Sequence, residues 1–180
     1  MVRHAEADRD AAAIAAIYAP SVESGVASFE AEPPPAGEMR RRIADGSREY
    51  PWLVTERDGA IAGYAYGARH RTRAAYRWTV EVTVYVEEQL QRRGVGRELY
   101  EALLPLLARQ RLHLAVAGIT LPNPASVALH EAVGFERVGV YREIGHKHGV
   151  WHDVGWWQAL LRPAGEQPEE PLGPQRLTPA

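Results

Sequence analysis

The chain has 180 residues, of which 46% are hydrophobic and 24% charged, and this composition predicts one globular domain with a proper core rather than a disordered chain. Its formal net charge of −2 gives no general electrostatic attraction to nucleic acid or to an acidic membrane, so neither is expected as a partner. The absence of cysteine excludes disulfides, thiolate metal sites and a cysteine nucleophile.

The first third of the chain predicts two helices and a hairpin. Asp8 to Tyr18 carries apolar residues at helical spacing, and Met39 to Asp45 predicts a short second helix after three consecutive prolines. Two apolar runs then flank Asp58-Gly59, the pair that a type I′ hairpin turn favours.

The run WTVEVTVYV, from Trp78 to Val86, alternates apolar and polar side chains. A period of two residues is typical of a β-strand with two unlike faces. One face is aliphatic, and the other presents the Glu81 carboxylate between Thr79 and Thr83. We therefore expect Glu81 in the middle of a strand, on its polar face.

Beyond this strand, helix and strand patterns alternate. A helix with leucines at helical spacing begins at about Gly96, and Pro105 inside it should kink or shorten it. HLAVAGI has the composition of a buried parallel strand, and NPASVALHEAVGF that of a capped helix that ends at Gly134. This order predicts a crossover unit inside a mixed sheet, and hence an α/β fold.

The segment QRRGVG, Gln91 to Gly96, lies between that strand and that helix. Unpaired N–H groups at a helix start attract anions, and Gly94 and Gly96 let an anion approach the main chain closely. Leu99 stands where a dinucleotide fingerprint needs a third glycine, and the Lys-Ser/Thr pair of the triphosphate loop is missing. The alternative is that the two glycines serve only a tight turn.

Two segments together resemble a known family. The loop has the pattern Gln/Arg-x-x-Gly-x-Gly/Ala of the acetyl-CoA pyrophosphate loop in the GCN5-related N-acetyltransferases (GNAT), at Gln91, Gly94 and Gly96. That family's second cofactor segment is matched by Asn123, Ser126, Leu129, Gly134 and Phe135. YPWLV, WTVEVTVYV, LPNPASVALHEAVGF and GHKHGVWHDVGWWQ narrow the resemblance to the phosphinothricin N-acetyltransferase branch, over residues 3 to 162.

The resemblance implies the GNAT acyl-CoA N-acyltransferase fold, a central mixed and splayed sheet flanked by helices, with acetyl-CoA as cosubstrate beside the strand that ends at Val86. The residues implied to contact acetyl-CoA are Val84, Tyr85, Val86, Arg92, Arg93, Gly94, Val95, Gly96, Arg97, Asn123 and Ser126. The implied activity is transfer of the acetyl group to the amine of a small amino acid-like substrate such as phosphinothricin or methionine sulfoximine.

Such a transfer needs a general base, because the amine arrives as ammonium and attacks only after losing a proton. Glu81 is the candidate, and it stands at the position of the family's proposed catalytic glutamate; alternatively, it is a charge on a solvated strand face. His130 is the second catalytic candidate, since many relatives have there a tyrosine that protonates the departing thiolate. Alternatively, it is a helix histidine hydrogen-bonded to a neighbour.

A substrate that is an acidic amino acid analogue needs cationic side chains to bind its carboxylate and its phosphinate or sulfoximine end. The arginines of the stretch ARHRTRAAYRWTVE can provide these charges. Phe29, matched in position, is expected to form an apolar wall, with a core phenylalanine as the alternative. The full set of expected substrate-binding residues is Phe29, Arg69, Arg71, Arg73, Tyr76, Thr79, Val80 and Glu81.

The segment GHKHGVWHD places His146, His148, His152 and Asp153 close together in sequence, as potential metal ligands. The zinc helix pattern is missing and the resembled enzymes carry similar residues, so no metal is expected.

The aromatic residues of the C-terminal strand are expected to lie either in the core or on a dimer surface, and the resemblance implies a homodimer. Two other functions stay open: a GNAT enzyme that acetylates another amine, and a catalytically silent acyl-CoA-binding module.

Residues 1–162 are expected to form the acetyltransferase domain, and the proline-rich residues 163–180 a disordered tail. No apolar run approaches the roughly 18 residues of a membrane span, and the N-terminus lacks the apolar stretch of a secretory signal. A cytoplasmic location is therefore expected.

Overall fold

The computed structural model describes residues 1–165 and 167–174, and it contains a sheet of seven strands in the order β1-β2-β3-β4-β5-β7-β6. The strands are β1 (Val2–His4), β2 (Trp52–Arg57), β3 (Ala60–Arg69), β4 (Thr79–Val86), β5 (Leu114–Leu121), β6 (Glu136–Lys147) and β7 (Val150–Leu160). The helices are α1 (Ala7–Glu23), α2 (Ala36–Gly46), α3 (Val95–Arg109) and α4 (Pro124–Ala132). Since β4 and β5 are parallel and the other pairs antiparallel, the predicted mixed sheet is confirmed.

The β2–β3 hairpin and β4 form as the sequence predicts. Asp58 and Gly59 have φ values of 51° and 80°, which is the geometry of a type I′ turn. Along β4 the side chains of Val80 and Val82 are buried, while Glu81 is half-buried on the opposite face. The sequence does not predict β1, because three residues are too few to show a period.

Helices cover both faces of the sheet. On one face, α1 and α2 pack through Ile14 and Ile43 against the ring of Trp52. On the other face, α3 packs its leucines against Leu53 and Val80. These two apolar layers hold β4 between them, so the strand that carries Glu81 is rigid.

α3 runs unbroken to Arg109, so the prediction that Pro105 shortens it is wrong. Pro105 removes one donor and leaves the Glu101 carbonyl without its intrahelical partner. Both residues are exposed. Water can therefore bond this carbonyl, and the helix continues.

β4 and β5 pair along only part of their length. The paired residues are Thr79–Glu81 of β4 and Leu114–Val116 of β5, after which the strands diverge. β7 continues the ladder on the far side of β5, as far as Leu121. The sheet is therefore splayed between β4 and β5, as the resemblance implies, and Glu81 lies where the splay begins.

Beyond β7, the described part of the C-terminal segment forms no helix or strand. It nevertheless contacts the domain: the Glu169 carbonyl accepts a hydrogen bond from Trp78 Nε1 at 2.9 Å, and the Leu172 N–H donates to the Gln110 carbonyl at 2.8 Å. Glu166 and residues 175–180 lie outside the described residues. The domain boundary and the disordered tail stay predictions.

No helix in the described ranges combines the length and apolar character needed to cross a membrane. The cytoplasmic location stays a prediction.

Candidate active site

A cleft of about 740 Å³ opens where β4 and β5 diverge. Its walls are the second half of β4, the loop after it, the start of α3, the end of β5 and the first turns of α4. From Val82 onward, the edge of β4 that faces β5 has no strand partner among the described residues. Its backbone N–H and C=O groups are therefore available to an extended ligand in the cleft.

The start of α3 presents a run of unbonded amides to this cleft. Within the part of the chain that the structure describes, the amides of residues 92–97 donate no backbone hydrogen bond, and the Glu98 amide is the first to do so, to the Gly94 carbonyl at 3.0 Å. Arg92 and Gly94 have φ values of 60° and 81°, in the left-handed region. Successive amides in such a turn form a concave anion site, to which the helix dipole adds.

The two glycines of the loop have different physical roles. Gly94 needs its left-handed φ, and a Cβ there would meet nothing within 4 Å. At Gly96 a Cβ would lie 2.8 Å from Leu129 Cδ2 of α4. Gly96 therefore leaves room for the Leu129 side chain against the start of α3, a requirement that the sequence pattern does not reveal.

The structure brings together nearly all the residues implied to contact acetyl-CoA. All of them except Arg93 line the cleft. Asn123 also caps α4, because its Oδ1 accepts a hydrogen bond from the Ser126 N–H at 3.1 Å. The Asn123 amide nitrogen is therefore the part of this side chain left for a ligand.

His130 lines the cleft but is only 4% exposed, and both ring nitrogens are engaged. Nδ1 lies 2.8 Å from the Ser126 carbonyl, to which it can only donate, so Nε2 accepts from the Tyr100 hydroxyl at 2.9 Å. Burial lowers the pKa of His130, against the opposing effect of the Ser126 carbonyl. His130 is thus hydrogen-bonded within its surroundings, as the alternative interpretation expects, and its catalytic role stays a prediction.

Glu81 lies at the apex of the splay, next to cleft-lining Val82 and Thr83. Its side chain is 37% exposed, and Oε1 accepts a hydrogen bond from His70 Nδ1 at 2.8 Å. The carboxylate is therefore accessible from the polar face of β4, next to the beginning of the cleft.

None of the expected substrate-binding residues lines the cleft wall. Thr79 and Glu81 share the polar face of β4, whereas Arg69 is the register partner of Val80 and shares the opposite face. Arg69 pairs with Glu49 at 2.8 Å, whereas Arg71 and Arg73 are exposed and have no ion pair within the described ranges. Tyr76 is 43% exposed, and Thr79 is half-buried. Val80 is fully buried in the core, between Arg69 of β3 and Ala115 of β5, so its side chain is closed to a substrate.

Phe29 is 42% exposed, which excludes an ordinary core position. Its ring lies over Gly145 of β6 and 6.0 Å from the ring of His152. Lys147 Nζ donates to the Ser28 carbonyl at 2.7 Å and ties the same loop to β6. Phe29 therefore joins the α1–α2 loop to the β6–β7 hairpin.

The C-terminal histidines do not converge. His146 packs on Trp151 at 5.0 Å between ring centroids, and His152 Nε2 donates to the Lys147 carbonyl at 3.1 Å. Among the described residues there is no group of three or more His, Asp and Glu side chains that could hold a metal ion.

Sequence reasoning missed His70 and Tyr100, the polar partners of Glu81 and His130. In the sequence, Tyr100 looks like one more apolar residue on the buried side of a helix. His70 lies among arginines, where positive charge is the dominant signal. Both pairings join residues from different elements, so a pattern along the chain carries no signal for them.

The comparisons with known proteins agree with this geometry. Residues 4–156 match the family model described as acetyltransferase (GNAT) domain. The chain is 43% identical to a phosphinothricin N-acetyltransferase of Streptomyces viridochromogenes, over 91% of this chain and 90% of that protein. It is 34% identical to an L-methionine sulfoximine/L-methionine sulfone acetyltransferase of Pseudomonas aeruginosa, over 88% and 94% of the two chains.

Among solved structures, a GNAT superfamily phosphinothricin acetyltransferase from Sinorhizobium meliloti in complex with acetyl-CoA is similar, with a TM-score of 0.86 and 36% identity. The match covers 94% of this chain and 93% of that one. The family model and these relatives span nearly the whole folded part of the chain. The chain therefore belongs to the acetyltransferase (GNAT) family.

Proposed function

We propose that this protein transfers the acetyl group of acetyl-CoA to the amine of a small amino acid-like substrate of the phosphinothricin or methionine sulfoximine type. The observation that carries the proposal is the run of unbonded amides at residues 92–97, beside the open edge of β4. The similarity to enzymes with those substrates in their names supports the choice of amine.

The start of α3 is suited to the diphosphate of coenzyme A. The amides at residues 92–97 supply donors without side-chain reorganisation, and Arg92 and Arg97 add positive charge at the cleft wall. Arg97 is itself held by Glu101 at 2.8 Å, one helical turn away. Gly94 keeps the approach to these amides open, since no atom lies within 4 Å of its missing Cβ.

The unpaired edge of β4 is suited to the pantetheine arm, which carries amide groups. Backbone groups of Val84, Tyr85 and Val86 can bond that arm as a neighbouring strand would. The same arrangement directs the thioester towards the apex of the splay, where Glu81 lies. Val82 and Val84 supply apolar surface along this path.

Glu81 is the group that takes the proton of the substrate ammonium, directly or through one water. The freed amine forms a bond to the thioester carbonyl carbon, the carbon–sulfur bond breaks, and coenzyme A leaves as the thiolate. A proton must then reach that thiolate. Tyr100 of α3 and His130 of α4 share a hydrogen bond at the cleft wall and are the candidates to supply it.

The amine-bearing substrate would bind on the polar face of β4. Arg71 and Arg73 are exposed cations without an ion pair in the described ranges, so they can pair with a carboxylate or phosphinate. Arg69 would first have to leave Glu49, and it would also have to reach round from the opposite face of the sheet, which it shares with its register partner Val80. Phe29 and Tyr76 would supply apolar walls from two different loops.

A homodimer is proposed as well, through the β6–β7 hairpin. In the described part of the chain, β6 lies at the edge of the sheet and has β7 as its one strand partner. Exposed large apolar side chains on this hairpin are Val138, Tyr141, Ile144, Val150 and Trp151. A long apolar edge of this kind is a typical association surface. Sedimentation equilibrium should give twice the chain mass, and Trp151→Glu should shift the protein towards monomer.

The experiment that tests the function is steady-state acetylation with acetyl-CoA, followed by a thiol indicator, for phosphinothricin, methionine sulfoximine and a panel of ordinary amino acids. We expect the first two to have the highest kcat/KM. Turnover of other amines alone would reject the substrate class but keep the acetyltransferase. Binding of acetyl-CoA without turnover of any amine would indicate a silent acyl-CoA-binding module.

A further inference from the structure

His70 is held rigidly at the end of β3 by two aromatic rings from other elements. Its ring meets Tyr76 edge-to-face at 5.9 Å and Trp156 of β7 edge-to-face at 5.9 Å. Only 16% of its side chain is exposed. Packing therefore restricts the ring to one orientation, with Nδ1 directed at β4.

The same contact restricts Glu81. A glutamate on a strand face normally samples several rotamers, and each one places the carboxylate elsewhere. Here Oε1 accepts the hydrogen bond from His70 Nδ1 at 2.8 Å. No other hydrogen bond to Glu81 occurs within residues 1–165 and 167–174, so Oε2 stays available.

We propose that His70 is a positioning residue, which fixes the Glu81 carboxylate so that Oε2 faces the incoming ammonium. This inference rests on the proposed role of Glu81 as the general base. Nδ1–H donates to Oε1, and this bond fixes which nitrogen of the ring faces the carboxylate. His70 thereby limits the conformational search of the base before proton transfer.

The fixed carboxylate lies at the correct point of the sheet for this role. Glu81 is the last residue of β4 that pairs with β5, and the cleft begins with Val82. Trp156 is paired with Gly118, which lines the cleft from β5, and so the aromatic support of His70 spans the splay. The His70–Glu81 pair therefore connects the two diverging strands at their apex.

Three variants at this position separate the hydrogen bond from the ring. His70→Phe keeps the aromatic packing and removes the donor, whereas His70→Asn keeps a donor at the place of Nδ1 and removes the ring. His70→Gln places its donor near the position of Nε2 instead. The readouts are kcat and both KM values for the amine that turns over best, the Kd of acetyl-CoA, and the melting temperature.

We expect His70→Phe and His70→Gln to lower kcat about 10-fold or more, the size of one hydrogen bond to a charged group, while His70→Asn stays within about threefold of wild type. The Kd of acetyl-CoA should not change in any of them. Equal losses in His70→Phe and His70→Asn would overturn the proposal, because the ring rather than the donor would then matter. If His70→Phe fails to fold, the contrast between His70→Asn and His70→Gln decides.

A double-mutant cycle with Glu81→Gln distinguishes this inference from the proposed function. If His70 acts through Glu81, His70→Phe should change kcat less than about twofold when Glu81 is already Gln. Additive losses would show that His70 acts independently of Glu81. If Glu81→Gln turns over as fast as wild type, Glu81 is not the base. If Glu81→Gln is impaired but His70→Phe keeps the wild-type kcat, Glu81 keeps its role and only the positioning role of His70 is rejected.

Discussion

The two halves of the proposed site recognise their ligands by different means. The acetyl-CoA half consists mainly of backbone: the open edge of β4 and the amides at residues 92–97. The amine half consists of side chains from separate loops, among them Phe29, Arg71 and Tyr76. A backbone site depends on the course of the chain, while a side-chain site changes with single substitutions, so we expect cofactor choice to tolerate more sequence change than amine choice.

Glu81 lies between the halves, and its replacement should have the largest effect. Glu81→Gln keeps a polar side chain of similar size but cannot accept the ammonium proton, so kcat should fall at least about 100-fold. The Kd of acetyl-CoA, measured by calorimetry, should stay as in wild type. Glu136→Gln, at an exposed carboxylate on β6, is the matched control. Unchanged turnover in Glu81→Gln would remove this residue from the mechanism.

Gly96→Ala should damage the acetyl-CoA half. The added Cβ would lie 2.8 Å from Leu129 Cδ2, so the half-buried Leu129 side chain must turn at the cleft wall or the start of α3 must shift. Overpacking of this kind costs about 1–3 kcal/mol, and we expect the Kd of acetyl-CoA to rise about 10-fold. The amine KM should change little. Gly37→Ala, where a Cβ meets nothing within 4 Å, should leave both constants unaltered.

Arginine variants should damage the amine half alone. Arg71→Gln and Arg73→Gln each remove an exposed cation, and a lost bond to a charged substrate group should raise the amine KM about 10-fold. Arg69→Gln should do less, because Glu49 already neutralises that guanidinium. The KM for acetyl-CoA serves as the internal reference. A larger effect at Arg69 than at either of the others would reverse this assignment.

The smallest expected effect concerns stability and belongs to the acetyl-CoA half. Burial lowers the pKa of His130 below its ordinary value of 6.5, so below that pH the unfolded chain binds a proton that the folded protein excludes. Stability should therefore fall as the pH drops from about 6.5 towards the lowered pKa, by at most about 1.4 kcal/mol per pH unit. Urea unfolding at pH 7.5 and pH 5.5 measures this loss.

His130→Gln provides the control, since it keeps a polar side chain that does not titrate. The difference in unfolding free energy between wild type and this variant should depend on pH over the same window. A difference that does not change with pH would contradict the lowered pKa of His130. The other histidines contribute equally to both proteins and cancel in this comparison.

The same contrast explains what the sequence could predict. The period of β4, the Asp58-Gly59 turn and the α3 loop are contiguous signals, and the structure contains all three. The cleft-lining residues follow from them because backbone recognition uses consecutive positions. The prediction that Pro105 shortens α3 is wrong because the sequence at one position does not show that this side of the helix is exposed to solvent.

The amine half could be predicted only as a charge pattern. The sequence offers Arg69, Arg71 and Arg73 as equivalent cations, whereas the structure places Arg69 in β3 and in contact with Glu49, and the other two in the segment that follows β3. The His70–Glu81 bond joins the residue after β3 to the middle of β4 through side-chain geometry that no period encodes. Pairings of this kind depend on packing, which the pattern along one chain does not contain.

The most direct test of the account is a crystal structure of the protein with acetyl-CoA. We predict diphosphate oxygens at hydrogen-bond distance, about 2.7–3.2 Å, from the amides at residues 92–97, and the thioester beside Glu81 at the apex of the splay. A diphosphate bound elsewhere, with these amides facing solvent, or a thioester remote from Glu81 would contradict the central claim.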